Sequence, residues 1–372
     1  MSTVVDFRTA ETRSAAARTL ADALRDGELA VLPTETGYLL AADAGHPEAS
    51  SRLIELLGEH RPPTLAVHDG REVVEELAAP PTARRLARRC WPGPVTLRIA
   101  VPDDRAPIGG VAPEAWRGLI AGGGLALRVP GDVTFEEIAM LLETPLLVEP
   151  DPAAPVGTAA AAAERYRDHA PLVADAGPAR FDQPATAIGC TDDGWAILVP
   201  GIVGKATIAR FDCELIVFVC TGNTCRSPMA EAMFRKLLAE RLQCRGDELI
   251  DRGFLLASAG VAAEEGVPAS VESVEVLKRL GIDLEASSSQ SFGRDLADQA
   301  DRVLAMTSGH LESIVQYWPQ VADRVALLAS DGSDVADPVG GTMDDYEVCR
   351  EMIERHLRLL LDKIAPEPTP SP

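Results

Sequence analysis

Five residues separate Cys220 from Arg226 in the stretch VCTGNTCRSPMAE (219–231). A thiol set straight after an apolar run and just ahead of a helix amino terminus is biased toward the thiolate. The backbone N–H groups from Thr221 to Arg226 can curl into a nest around an anion. Gly222 and Asn223 tolerate the left-handed backbone that such a loop requires. Arg226 carries a planar fork suited to two phosphoryl oxygens. Ser227 is placed to hydrogen-bond the thiolate and to cap the helix, with Pro228 at its first position. Thr224 and Cys225 complete the loop. The chemistry these types allow is displacement at phosphorus without a metal. The spacing alone is loose, and a buried cysteine near a surface arginine is its plainer reading. The strand before, the helix after, and Gly, Asn, Ser and Pro where a phosphate loop needs them favour the chemistry.

The elements that must hold this loop alternate. LIVFV (215–219), GFLLAS (253–258), DRVLAM (301–306) and RVALLA (324–329) read as strands. Helical patterns follow the loop and fall around 268–280, 308–317 and 343–363, the last with Thr342 and Asp345 at capping-box spacing. Such alternation predicts a parallel sheet covered on both faces, with the ligand at the carboxyl ends of its strands. The first half is also mixed α/β. Helices are expected over 12–26, 47–57 and 154–166, and strands over 29–34, 62–69, 95–100 and 125–130. Domains are expected at 1–205 and 213–364, with a disordered proline-rich end at 365–372. The segment 200–214 is short and not Gly/Ser-rich, which predicts closely packed domains.

The chain has 372 residues and a net charge of −22. Residues 1–212 carry 20 basic against 30 acidic side chains, and residues 213–372 carry 15 against 27. Two acidic halves disfavour non-specific binding to nucleic acid. Seven cysteines (90, 190, 213, 220, 225, 244 and 349) are odd in number, scattered and without a CxxC pair. They predict reduced thiols and no zinc site. With no apolar run of membrane-spanning length and no leader pattern, a soluble cytoplasmic protein is expected.

The loop CTGNTCRS, with SAGV (258–261), ADRVLAMT (300–307) and Asp337-Pro338 in DVADPVGG (334–341), resembles the low-molecular-weight protein phosphatase family over roughly residues 213–364. The resemblance implies a flavodoxin-like four-stranded parallel sheet with helices on both faces. It implies Cys220 as nucleophile, Arg226 and the loop amides as phosphate holders, and Asp337 as general acid and then base. No cofactor is implied, and the partners are phosphorylated protein substrates. Tyrosine-specific members carry a bulky aliphatic residue where Thr224 stands, and aromatics after the Asp-Pro. Here Thr224 and Val339-Gly340-Gly341 resemble the protein-arginine-phosphatase branch, which implies phosphoarginine. Phosphotyrosine is the alternative, and a non-catalytic phosphate-binding regulator is a third reading. Cys225 is a packing residue on the plain view and a resolving thiol for oxidised Cys220 on the functional one.

LPTETGYLLAADA (32–44), RPPTLAVHD (61–69), WPGPVTLRIA (91–100), LALRVPGD (125–132), ATAIGC (185–190) and ILVPGIV (197–203) together resemble the YrdC-like family. That family has a twisted open α/β sheet and includes threonylcarbamoyl-AMP synthases, which use threonine, bicarbonate and ATP to begin a tRNA modification. Thr34, Arg61, His68, Arg128 and Thr186 match its cleft positions. Glu59 stands where the family has a lysine, and Pro150 and Pro152 replace its Ser-x-Asn pair. Losing a cation and two polar ligands implies weakened ATP binding and a cleft without synthase activity. The alternative is a working synthase, and hence a bifunctional chain.

Overall fold

The computed structural model describes residues 2–58, 61–102, 104–120 and 123–366. Glu59 and residues 367–372 of the expected disordered end lie outside them. The chain divides into two compact units, Met1–Phe211 and Asp212–Pro372.

In the second unit, four parallel strands lie side by side in the order Phe254–Gly260, Glu214–Cys220, Arg302–Ala305 and Val325–Leu327. Successive side chains of Glu214–Cys220 alternate between two cores. Ile216, Phe218 and Cys220 pack with Met229, Phe234 and Leu357 on one face. Leu215, Val217 and Val219 pack with Phe292, Val303 and Ile314 on the other. A strand buried on both faces reads as an unbroken apolar run, and helices must cover each side. On the first face, Phe218 meets Phe234 edge to face at 5.8 Å between ring centres. The last helix, Met343–Ile364, starts at the expected capping box, where Thr342 and Asp345 satisfy each other's backbone N–H.

The first unit holds a mixed ten-stranded sheet among the described residues. Its order is Thr3–Asp6, Leu172–Asp175, Ala30–Thr34, Gly37–Asp43, Leu146–Val148, Thr64–Ala66, Leu125–Arg128, Val95–Ile99, Thr186–Thr191 and Gly194–Val199. Three sequence expectations are corrected. The strand expected over 62–69 is only Thr64–Ala66, because Pro62 and Pro63 cannot donate to a ladder. The helix expected over 154–166 is Ala159–Arg165, started by Thr158, whose hydroxyl accepts the N–H of Ala161. The supposed connecting segment 200–214 contains a helix, Lys205–Asp212, that buries Ile208.

Candidate active site

Cys220 is the last residue of its strand and is buried. Its Sγ lies 3.0 Å from Ser227 Oγ and accepts the N–H of Asn223 at 3.3 Å. Asn223, at φ 55°, takes the left-handed conformation and Gly222 does not. The Asn223 side chain then braces the loop. Its Nδ2 donates to Ser227 Oγ at 2.9 Å, and its Oδ1 accepts from the N–H of Gln290 at 2.9 Å. Gly260, on the neighbouring strand, lets the loop come this close. A Cβ there would sit 2.4 Å from the carbonyl oxygen of Thr221.

The helix after the loop is Arg226–Arg241, with Cys225 at the N-cap and no side-chain cap. This corrects the expectation for Ser227 and Pro228. Ser227 lies inside the first turn, its hydroxyl committed to Cys220, Asn223 and the carbonyl of Ala259. Pro228 is the third helical residue, where its missing N–H still costs nothing. A serine or aspartate at the N-cap would contribute about 1 kcal/mol. The chain forgoes it and leaves the first-turn N–H groups to the loop.

Arg226 is buried and Asp337 is half exposed, and the two form an ion pair through Nη2 and Oδ2. Arg226 Nη1 also donates to the carbonyl of Val335 at 3.2 Å. Asp337 Oδ1 accepts the N–H of Val339 at 3.2 Å. The fold thus brings together the two sequence-distant signatures, Cys220–Arg226 and Asp337. Thr224 is half buried, and its carbonyl accepts the N–H of Ser270 at 2.9 Å. Cys225 Sγ points to Ser270 Oγ at 3.3 Å and Tyr346 Oη at 3.7 Å, packed with Val276.

One residue escaped the sequence reading. His310, buried on the helix Ser308–Tyr317, lies with Nε2 2.8 Å from Thr221 Oγ1 and Nδ1 2.9 Å from Thr307 Oγ1. Thr221 Oγ1 in turn accepts from Arg226 Nη2 at 3.4 Å. A lone histidine on an amphipathic helix carries no signal, because its partner is 89 residues away. Burial first, then the charge of Arg226, holds the His310 pKa below its ordinary 6.5. A depressed histidine keeps its neutral form in the fold, so its contribution to stability is full above the unfolded pKa. That contribution is lost as pH falls below about 6.5 toward the folded value. His356 is shifted the same way, again chiefly by burial, so the comparison must be differential. Wild type should lose more denaturant resistance than His310→Gln between about pH 7.5 and about 5.5. Equal losses in the two proteins would contradict this reading of His310.

Residues 215–369 match the family model described as low molecular weight phosphotyrosine protein phosphatase. The protein-arginine-phosphatase of Geobacillus stearothermophilus is 43% identical over 157 residues, covering 41% of this chain and 97% of that protein. The chain belongs to the low molecular weight protein phosphatase family. The protein-arginine-phosphatase of Bacillus subtilis is a further relative, 39% identical over 153 residues, covering 40% and 95%. A probable low molecular weight protein-tyrosine-phosphatase of Ralstonia nicotianae is 33% identical over 143 residues, covering 38% and 90%. Among solved structures, the YwlE arginine phosphatase of G. stearothermophilus aligns with 41% of this chain and 92% of its own, at 39% identity and a TM-score of 0.36. The phosphatase unit is fused to a YrdC-like one, since residues 22–201 match the Sua5, YciO and YrdC model described as telomere recombination.

The cleft residues expected in the YrdC-like unit are mostly engaged. Thr34 closes its own turn, donating to the carbonyl of Gly37 and accepting the N–H groups of Thr36 and Gly37. Thr186 exchanges two hydrogen bonds with Val203. His68 is exposed beyond the strand Thr64–Ala66. Arg61 Nη2 donates to the carbonyl of Pro150 at 3.3 Å. Arg128 is buried between the carboxylates of Glu35, at 3.0 Å, and Asp151, at 2.5 Å. Glu149, also buried, bonds Tyr166 Oη and the N–H of Leu40. Its carboxylate and the burial of Tyr166 push that phenol's pKa up, with burial the larger cause. A nucleotide polyphosphate needs unspent cations and donors. At Arg128 this constellation offers a neutralised guanidinium and two carboxylates.

Proposed function

We propose that the second unit hydrolyses phosphoarginine in proteins through a phosphocysteine intermediate. The carrying observation is the half-exposed carboxylate of Asp337 on buried Arg226, beside a loop whose variable position is the small, polar Thr224. A flat cationic guanidinium calls for a carboxylate and a hydroxyl more than for an aromatic wall. A cavity of about 400 Å³ bordered by Asp337, though by no residue of the Cys220–Arg226 loop, is lined by Val339, Val348 and Met352 with no aromatic side chain among its lining residues. Two relatives named protein-arginine-phosphatases support the same choice.

In this mechanism the Cys220 thiolate attacks phosphorus as the P–N bond breaks. Asp337 supplies the proton to the departing guanidine nitrogen. Arg226 and the loop amides hold the charge on the equatorial oxygens. Asp337, now a carboxylate, takes a proton from water, which attacks phosphocysteine, frees phosphate and restores the thiolate. Parallel assays on phosphoarginine, phosphotyrosine and phosphoserine peptides test the choice. Wild type should prefer phosphoarginine, and Thr224→Ile should lower that preference about tenfold by crowding the guanidinium. A wild-type preference for phosphotyrosine would overturn it.

For the first unit we propose a retained YrdC-like fold without synthase activity. The spent state of Arg128 supports this reading. Pyrophosphate release above blank from threonine, bicarbonate and ATP would contradict it.

A further inference from the structure

Arg128 ends the strand Leu125–Arg128, and its side chain is 1% exposed. A buried guanidinium with one carboxylate is balanced; this one has two. Glu35 is built into the wall, since its second oxygen accepts the N–H of Gly131 at 2.8 Å. Asp151 comes from a different segment, the run Glu149-Pro150-Asp151-Pro152 that follows the strand Leu146–Val148. A proline on each side restricts the backbone and holds the residue extended. Its carboxylate is received as a bound carboxylate would be. One oxygen takes Arg128 Nη1, and the other takes the hydroxyl of Thr36 at 2.5 Å and the N–H of Ala185 at 3.2 Å. Thr36 also accepts from Arg128 Nη2 at 3.0 Å. The buried Nε of Arg128 has no acceptor among the described residues. Arginine, hydroxyl and amide converge from three separate segments on one carboxylate. Asp151 also borders a cavity of about 300 Å³, along with Arg61, Thr64, Thr96, Arg98 and Pro150.

We infer that Arg128, Thr36 and the Ala185 amide form a carboxylate-binding site whose occupant is the chain's own Asp151, so that external carboxylates and nucleotides are shut out of this cleft. This deepens the reading of the first unit as lacking synthase activity and names the residue that closes it. The three groups recognise a small carboxylate, and Asp151 delivers one at a fixed position on a proline-braced tether. The effective concentration of a tethered ligand reaches the millimolar range and beyond.

The test is chemical rescue in the full chain. Asp151→Ala removes a carboxyl group and leaves room the size of formate, while Glu35 keeps Arg128 paired. Its first unit should melt roughly 5 °C below wild type. Sodium formate should restore much of that loss saturably, against sodium chloride at equal ionic strength. Asp151→Asn keeps the slot filled with a neutral amide and should show no formate effect, as should wild type. Neither ATP nor L-threonine should shift the melting of wild type. Absence of rescue in Asp151→Ala, rescue equally in Asp151→Asn, or binding of either ligand by wild type would overturn the inference. Pyrophosphate release is a separate outcome: it would end the reading without synthase activity even if rescue succeeded, and failed rescue leaves that reading standing.

Discussion

Cys220→Ser is expected to abolish steady-state dephosphorylation, with a loss of about 10⁴-fold or more, since removing a covalent nucleophile disables the residues acting with it. A thiol is acidic enough to supply a thiolate nucleophile, whereas a serine hydroxyl stays protonated. The substitution is nearly isosteric, and a hydroxyl can keep the hydrogen bonds that Sγ makes with Ser227 Oγ and the Asn223 N–H. The fold should therefore survive, and the melting curve should change little. Turnover of a phosphoarginine peptide that persists in Cys220→Ser would remove the covalent mechanism. A wild type that binds phosphate yet never turns over would make the loop a binding device.

Arg226→Lys is expected to lower kcat/KM by about 10²–10³-fold, with a smaller loss of stability. Lysine keeps the positive charge and loses the planar fork, so one phosphoryl oxygen goes unheld in the transition state. The ion pair with Asp337 gives little reason for a large stability loss. Asp337 is 45% exposed and water can take over its carboxylate. Arg226 itself is buried and also bonds the carbonyl of Val335, so losing its fork is expected to cost about 1–3 kcal/mol. Denaturant titration beside kinetics separates the two effects. A variant whose activity falls only in step with its folded fraction would refute a direct role for Arg226.

The second unit was legible because its signals are local. Each element around the loop carries a periodic run or a cap within a few residues, as Thr342 and Asp345 do. The error over Ser227 arose because the same hydroxyl can cap a helix or serve a thiol. Only the return of Ala259 beneath the loop decides which. In the first unit much of the sheet was invisible. Leu146–Val148 is three residues long, too short to show a period of two. Gly37–Asp43 is buried along its whole length and so shows no alternation. Arg128 was found by resemblance, but its fate depends on Thr36, 92 residues away, and on Asp151. Sequence spacing carries nothing about such a meeting.

The uncapped start of the helix Arg226–Arg241 has a consequence for engineering. Under the proposed chemistry the phosphoryl group itself completes that helix, so part of the fold's cohesion is lent by whatever anion is held there. Substrate, product and inorganic phosphate would all steady the same turn, which makes inhibition by product a corollary of the architecture. A stabilising substitution that supplied an internal acceptor at Cys225 would compete with the substrate for the same donors.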